Sequence, residues 1–316
     1  EQAVTYTRAI VLGAPGMLMV YAANGIFRGL QKVRITLIAA VGGAVVNTVL
    51  DVLFVIVLNW GIAGSGVATL VAQWFMGLFL VIPAILWSRA DGASLRPRLA
   101  GIAAAGGDGL PLFIRTLAIR AAMVTTVACA ARMGTAVLAG FQAVNSSWNF
   151  AMNMLDSVGI AGQTLVATAL GAGSVQQARR LTRATGRAGL VTGAVIGTAF
   201  AVVGLFAGHF FSPTPHIQTL IAVGMVTMGI FFPLQGWMMA IDILIGARDY
   251  RYLAVTCTLT AVVYVTLILI LANMVTPALT SDLMRTAVLW AAFNVVLMGG
   301  RGLSNGLRVR SDAWMK

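Results

Sequence analysis

The sequence predicts an all-α, polytopic helical membrane protein arranged as two pseudo-symmetric helical bundles. Charged residues make up only 9% of the chain and apolar residues 59%, whereas about a quarter of a typical soluble domain is charged. The ranges 35–50 and 52–88 contain no ionisable side chain, and a helix needs roughly 20 apolar residues to cross a bilayer. Lipid is therefore the main solvent of this chain.

Apolar runs, Gly and Pro punctuation and the position of the charges predict about nine of an expected twelve transmembrane helices. They fall near 8–28, 34–58, 62–88, 111–132, 137–171, 184–210, 216–247, 250–273 and 283–306. The stretch 91–108 is rich in Gly, Ala and Arg, and it separates three helices from six. We therefore predict a partial N-terminal lobe over 1–90, a cytoplasmic linker over 91–108 and a six-helix C-terminal lobe over 109–316.

The basic residues lie mostly on one side of this topology. Alternate connections contain sixteen of the twenty-one lysines and arginines, namely Arg28, Lys32, Arg34, Arg89, Arg96, Arg98, Arg179, Arg180, Arg183, Arg187, Arg248, Arg251, Arg301, Arg308, Arg310 and Lys316. The opposite connections contain Arg8, Arg132 and Arg285. Because cytoplasmic loops are enriched in Lys and Arg, we predict a cytoplasmic C-terminus. Basic residues confined to short gaps between apolar segments also argue against a nucleic-acid surface.

The first three helices resemble the last three in layout. The segments FRGLQKVR and LIGARDYR place Gly29 and Gly246 before a short basic turn. Pro15 and Pro233 precede these glycines by 14 and 13 residues, and each Pro removes a helix hydrogen bond and permits a bend. Two equal halves need three further helices upstream of Glu1, which we expect. The alternative is a natural nine-helix protein with an exported N-terminus.

Carboxylates deep in apolar segments are costly, so they are by default candidate functional residues. Asp51 follows Asn47 by one helical turn on the same face, and an Asn beside an Asp can stabilise either protonation state. We predict that this pair binds and releases a proton or another cation. The alternative is a buried polar pair that joins helices.

A second group of candidates lies in the predicted C-terminal lobe. Asp156, Asp242 and Arg120 are deep charged residues there, and an unpaired buried charge is strongly destabilising. We predict an ion pair between Arg120 and one of the two aspartates. Trp148 and Trp237 are candidates for the wall of a binding cavity, unless they face lipid or the core. The sequence contains no catalytic or metal-ligand spacing, which argues against an enzyme and a bound metal.

Seven segments resemble the multidrug and toxic compound extrusion (MATE) transporters, and within them the DinF-like branch. They are GLQKVRITL, NTVLDVLF, GIAGSGVATLVAQ, PLFIRTLAIR, LDSVGIAGQTLVATALGAG, IDILIGARDYR and LWAAFNVVLMGGRGL. The resemblance implies a twelve-helix protein in two six-helix lobes. By the same resemblance, Asn47 and Asp51 match a polar pair in the N-terminal lobe cavity, and Asp156 and Asp242 match acidic positions of the C-terminal lobe. A partner acid on the family's first helix would lie upstream of Glu1.

The function that the resemblance implies is export of drugs and other organic compounds by antiport with protons or sodium ions, through alternating access. We expect no cofactor beyond H+ or Na+ as the coupling ion, small organic substrates that include cations, and no nucleic-acid partner. We also expect a monomer surrounded by lipid in a bacterial cytoplasmic (inner) membrane. The alternatives are a lipid-linked oligosaccharide flippase of the same two-lobe plan and a truncated remnant that does not transport.

Overall fold

The computed structural model describes residues 2–30, 32–90, 92, 98–206, 208–275 and 278–315, and within these ranges it contains helices and no strand. The α-helices are α1 Gln2–Gly29, α2 Val33–Asp51, α3 Gly61–Ala90, α4 Leu99–Met133, α5 Thr135–Gly171, α6 Val175–Phe206, α7 Pro215–Ala240, α8 Tyr250–Ile270, α9 Asp282–Ala292 and α10 Gly299–Arg310. Three π-helical segments continue α2, α8 and α9, at Val52–Val57, Leu271–Val275 and Phe293–Met298. Helices satisfy their own backbone hydrogen bonds, as a chain in lipid requires.

In the described ranges, eight helical stretches are long and apolar enough to cross a membrane. The sequence analysis predicted nine. The difference is the predicted helix 137–171, which forms the 37-residue α5 but is not among the eight. Asn145, Asn149, Asn153 and Asp156 fall within α5, and these polar side chains make it less apolar than its neighbours.

The chain divides into two compact units, Glu1–Leu99 and Ala100–Lys316. The start of the predicted linker, at 91 and 93–97, lies outside the described residues. Its second half is helical, because α4 begins at Leu99 rather than near 111. The run LAGIAAAG that opens α4 contains four alanines, and Ala is the strongest helix former.

A second helix also begins earlier than the apolar pattern predicts. Helix α6 begins at Val175 rather than near 184. Its first turns are polar, with the sequence VQQARRLTR, but Gln, Ala and Arg all favour helix. Apolar periodicity locates the part of a helix that lies in lipid, and it misses a polar extension of the same helix.

The N-terminal unit has a small core between α1, α2 and α3. Phe27 and Leu80 are fully buried in it, and the Phe27 ring meets the Trp87 ring edge-on at 5.6 Å. Helices α1 and α3 approach closely at two glycines: a Cβ on Gly77 would lie 2.8 Å from the carbonyl oxygen of Gly16. Small residues allow this approach, as is usual between membrane helices.

The C-terminal unit is held by a glycine seam between α6 and α7. A Cβ on Gly189, Gly193 or Gly197 would lie 2.3–2.4 Å from a backbone carbonyl oxygen of α7. Real Cβ atoms do not come so close, so the two backbones are in contact at these positions. Another glycine, Gly134, forms the one-residue junction between α4 and α5. Its backbone φ is 133°, a value that residues with a side chain rarely adopt.

An aromatic and methionine core fills the interior of the same unit. The Trp290 ring stacks on Phe141 with centroids 4.7 Å apart and meets Phe293 edge-on at 5.6 Å. Met225 and Met228 of α7 are buried beside these rings. Methionine adapts its shape to irregular apolar gaps, so this core packs densely around the polar groups described below.

Candidate functional site

Asp242 is bound by three other side chains in the C-terminal unit. It lies in the short 3-10 turn Asp242–Ile245 that follows α7, and only 4% of it is exposed. Arg115 of α4 forms an ion pair with its Oδ2, and Nη2 of Arg301 in α10 lies 4.0 Å from the same oxygen. Asn305, one turn further along α10, donates from Nδ2 to Oδ1 at 3.2 Å. One carboxylate therefore joins α4, α10 and the end of α7.

The turn that holds Asp242 is fixed by close packing. Ile243 and Leu244 are fully buried, and a Cβ on Gly246 would lie 2.6 Å from the carbonyl oxygen of Gln163. The adjacent Arg248 has a left-handed backbone, with φ 61°. It forms a hydrogen-bonded ion pair with Asp108 of α4. The hydrogen bond to the carboxylate raises the pKa of the Arg248 guanidinium.

Arg120 is not the partner of Asp242, so the predicted ion pair of Arg120 with one of the two aspartates is wrong for Asp242 and stays a prediction for Asp156. Arg115 takes that position, whereas Arg120 is exposed. Five residues separate the two arginines, which places them about 140° apart around α4. One face of the helix cannot present both side chains to the same carboxylate.

Asp156, the other predicted acid of this unit, lies half-buried in α5 beside a close contact with α7. One turn later, a Cβ on Gly159 would lie 2.7 Å from the carbonyl oxygen of Met239 and 4.0 Å from Oδ1 of Asp156. The carboxylate therefore borders the α5–α7 interface. Its role in a functional network stays a prediction.

A chain of amide and indole hydrogen bonds crosses the core of the C-terminal unit. The indole Nε1 of Trp148 donates to Oε1 of Gln235 at 2.8 Å, and Nε2 of Gln235 donates to Oδ1 of Asn294. Asn294 in turn donates to the carbonyl oxygen of Trp290 at 2.7 Å. Gln235 and Asn294 are fully buried, and a buried network in which each group is bonded rigidifies its surroundings.

The two candidate tryptophans differ in burial, because only Trp148 belongs to this network. Trp148 is 6% exposed and packs edge-on against Phe293 at 5.3 Å, so it belongs to the core rather than to an open cavity wall as predicted. Trp237 is half-buried and lines an open groove of about 470 Å³ between α6, α7 and α10. Its role as a substrate-cavity residue stays a prediction.

Asp51 has a different environment, in the N-terminal unit. It is the last residue of α2, and the π-helical segment Val52–Val57 begins directly after it. Its Oδ1 is buried without a hydrogen-bond partner among the described residues, and it forms no ion pair with them. The carboxylate borders a groove of about 450 Å³ whose other lining residues are Val52, Val55, Ile56, Gly61, Ile62 and Ser65. Single π-helical turns are often found at functional sites.

Asn47 lies one turn before Asp51 and is also half-buried. Its Nδ2 is 3.5 Å from Oγ1 of Thr69 in α3, which is a long and therefore weak hydrogen bond. Nearby in the same unit, Oε1 of Gln73 is buried without a partner among the described residues. The contrast with Asp242 lies in the carboxylate itself, because both of its oxygens have partners, although Nε of Arg115, Nε of Arg301 and Oδ1 of Asn305 beside it are also buried without a described partner.

The sequence analysis did not name as candidate site residues five residues that the structure brings together at the C-terminal acid and in the polar chain. They are Arg115, Arg301, Asn305, Gln235 and Asn294. The spacing of Arg301 and Asn305, one turn apart, could have predicted a shared polar face. No comparable signal marks Gln235. Among the described residues there is no group of three His, Cys, Asp or Glu side chains arranged to hold a metal ion.

The helical architecture and the buried charges together define a multi-pass membrane protein. Its fold is that of known transporters: an outward-facing multidrug resistance MATE family transporter of the MOP superfamily superposes with TM-score 0.80 at 21% identity, over 98% of this chain and 69% of that one. A MOP superfamily transporter from Pyrococcus furiosus superposes with TM-score 0.79 at 20% identity, over 97% and 70%.

The chain belongs to the MatE family, whose model matches residues 1–53 and 111–223. Members of this family are transporters and not enzymes. Protein DETOXIFICATION 43 of Arabidopsis thaliana is 29% identical over 253 residues, which are 79% of this chain and 47% of that protein. The chloroplastic Protein DETOXIFICATION 44 of the same plant is 31% identical over 191 residues, 60% of this chain and 36% of that protein. The chain spans about half the length, or less, of these curated relatives.

Proposed function

We propose that this chain acts in the efflux of small organic compounds by antiport with protons, as a DinF-like member of its family, and that Asp51 is the residue that carries the proton. The observation that carries the proposal is the environment of Asp51. Its carboxylate has a buried oxygen without a partner among the described residues and borders an open, largely apolar groove. A deep carboxylate of this kind in a transporter is by default a functional residue.

Charge balance explains how one carboxylate can couple two movements. When Asp51 is ionised, its negative charge can bind an organic cation in the groove. When Asp51 takes up a proton, that charge is lost and the cation is released, so proton and substrate compete for the same group. This competition favours small cationic compounds as substrates and requires no other coupling ion, although a sodium ion could occupy the same carboxylate.

The conformational part of the mechanism follows from the backbone at Asp51. The π-helical segment Val52–Val57 replaces the regular α-helix after this residue, and departures from α-helical geometry mark positions where a membrane helix can repack. Protonation removes a charge that would otherwise oppose contact with the apolar groove wall. The outer end of α2 can then repack against α3. This movement would change the side of the membrane from which the substrate reaches the groove.

Asp242 has a positioning role in this proposal. Protonation of Asp242 would leave Arg115 and Arg301 buried without a counter-charge, which is strongly unfavourable. The carboxylate therefore holds α4, α10 and the end of α7 together during the transport cycle. The same pairing lowers the support for a lipid-linked oligosaccharide flippase, because the buried arginines already bind a protein carboxylate and are not free for a pyrophosphate.

The location that we propose follows from the basic residues. Their concentration at one end of the helices favours a cytoplasmic C-terminus. We propose a bacterial cytoplasmic membrane as the location and a monomer as the transporting unit. The curated plant relatives include a chloroplastic protein. The bacterial location that we propose therefore differs from the location of that relative.

Transport by the complete gene product in proteoliposomes tests the proposal. An imposed proton gradient should drive movement of a fluorescent organic cation such as ethidium, and Asp51→Asn should reduce the initial rate at least about tenfold, the usual effect of losing a proton-transfer group. The matched control is Asp108→Asn, which makes the same chemical change at an acid whose side chain is 41% exposed. It breaks the surface ion pair with Arg248, which contributes less than about 1 kcal/mol, so the rate should stay within about twofold.

Two outcomes would contradict the proposal. Transport by the Asp51→Asn protein at the wild-type rate would remove Asp51 from the coupling step. A rate that follows a sodium gradient and ignores the proton gradient would replace the proposed ion.

A further inference from the structure

The groove beside Trp237 differs from the groove at Asp51 in the charge of its walls. Three arginines line it, Arg183 and Arg187 from α6 and Arg310 from α10. None of the described residues that line it is acidic. We call this cleft between α6, α7 and α10 the basic groove.

The indole of Trp237 forms the floor of the basic groove. A Cβ on Gly186 of α6 would lie 3.5 Å from the pyrrole edge of the ring, at Cδ1 and Nε1. A Cβ on Gly306 of α10 would lie 2.6 Å from the opposite edge, at Cη2. The ring therefore spans from α6 to α10, and the missing side chain at Gly306 leaves room for it.

The three arginines stand on the two walls above this floor. Arg183 and Arg187 are one turn apart on the same face of α6, and Arg310 is the last residue of α10. All three are exposed. Three guanidinium groups around one cleft match a phosphate group, which each of them can bind with two parallel hydrogen bonds.

The groove changes character along α6. The next turn contributes Leu190 and Val191 to its lining, and both are exposed, as is Val195 one turn beyond. An exposed apolar helix face that begins directly after a basic turn is typical of a helix that passes from the headgroup layer into the hydrocarbon. Trp237 at the junction fits the same layer, where Trp is enriched.

We propose that the basic groove binds an anionic phospholipid, with its phosphate between Arg183, Arg187 and Arg310 and an acyl chain along the exposed apolar face of α6. Basic clefts between membrane helices at the cytoplasmic surface are suited to such headgroups. A free phosphate ion would use the arginines but not the apolar wall, so the continuous groove favours the lipid. This site is independent of the coupling mechanism at Asp51.

Native mass spectrometry of the complete gene product in detergent tests the proposal. The protein is offered phosphatidylglycerol and phosphatidylcholine with identical acyl chains, and retained lipid is counted. We expect phosphatidylglycerol to be retained in preference. The double variant Arg183→Gln/Arg187→Gln should weaken its binding roughly tenfold or more, since each basic residue at a membrane surface contributes about fivefold.

The matched control is Arg180→Gln/Arg251→Gln. It removes two exposed arginines from the same end of the unit, neither of which lines the groove. It should leave phosphatidylglycerol binding within about twofold, since only long-range attraction is lost. Equal losses in both double variants would overturn the proposal in favour of a diffuse charge effect.

Three further results would also overturn it. Equal retention of phosphatidylcholine would mean that the groove selects only acyl chains. Displacement of the lipid by inorganic phosphate would assign the arginines to a soluble anion. Absence of any retained lipid in the wild-type protein would remove the proposed occupant of the groove.

Discussion

The carboxylates of Asp242 and Asp51, one in each compact unit, differ in their hydrogen-bond and ion-pair partners. In the C-terminal unit, Asp242 is bound by two arginines and an asparagine. In the N-terminal unit, Asp51 has a buried oxygen with no partner among the described residues and lies at the edge of an open groove. The sequence analysis identified both acids in the same way, as carboxylates within apolar segments. Their surroundings separate a residue that holds helices together from one that can change its charge during a cycle.

Two buried glutamines show the same contrast. Gln235 of the C-terminal unit bonds to both Trp148 and Asn294, whereas Oε1 of Gln73 in the N-terminal unit is buried without a described partner. A bonded glutamine fixes the helices that it joins, and an unpaired one leaves its surroundings able to change partners. Other buried atoms of the C-terminal unit, such as Nε1 of Trp290, also lack a described partner, so our expectation that the N-terminal unit repacks during transport rests on Asp51 and its groove.

The largest expected effect comes from breaking the C-terminal acid cluster. Asp242→Asn should destabilise the protein by about 3–5 kcal/mol, because Arg115 and Arg301 would be left buried without a counter-charge. The double variant Asp242→Asn/Arg115→Gln should recover part of the loss. The Tm of each purified protein in detergent measures this. A single variant as stable as the wild type would contradict the positioning role.

The next effect compares glycines of the two units. Gly193→Ala should destabilise the C-terminal unit by about 3 kcal/mol, at the upper end of overpacking effects, since its Cβ would lie 2.4 Å from the carbonyl oxygen of Phe232. Gly25→Ala has open space around it and should be neutral or stabilising by up to about 1 kcal/mol. Chemical denaturation gives the free energy of unfolding of each variant. Equal changes in the two variants would contradict the close glycine contact between α6 and α7.

A smaller effect compares the two glutamines. Gln235→Leu should cost about 1–3 kcal/mol, because Trp148 and Asn294 would lose their partner in the core. Gln73→Leu removes an unsatisfied oxygen and should cost less than about 1 kcal/mol or stabilise. The difference between the two Tm values is the measurement. A greater loss at Gln73 would contradict the contrast between the two glutamines.

The smallest effect concerns one buried hydroxyl pair. Oγ1 of Thr126 and the hydroxyl of Tyr264 lie 2.8 Å apart in the C-terminal core. Tyr264→Phe removes one partner and should cost about 1 kcal/mol, while Thr126 keeps its bond to the carbonyl oxygen of Ala122. A Tm loss as large as that of Gln235→Leu would place Tyr264 in a wider network than the structure gives it.

The sequence was sufficient to predict the helical membrane fold, because long apolar segments are what a bilayer requires. It was less reliable at helix starts: the Ala- and Gly-rich start of α4 at Leu99 and the polar start of α6 at Val175 carry no clear apolar period. Glycine pairs show the same limit. Gly193 and Gly197 pack against α7, whereas Gly25 and Gly29 with identical spacing face open space.

The pairing of the buried charges could not be predicted from position along the chain. Arg115 and Arg120 lie on one helix, and the sequence analysis selected the deeper residue as the ion-pair partner. The choice depends on which face of α4 meets α10 and the turn after α7, which is set by tertiary packing. Depth along a helix indicates what a charge costs, and rotation around the helix decides which group binds it.

Substrate-evoked proton release tests the central claim most directly. An organic cation is added to the complete gene product in weakly buffered detergent solution, and the released protons are counted. We predict release by the wild type and by Asp242→Asn/Arg115→Gln, and none by Asp51→Asn. Proton release that persists in Asp51→Asn and is lost in the Asp242 double variant would contradict the account and reverse the roles of the two acids.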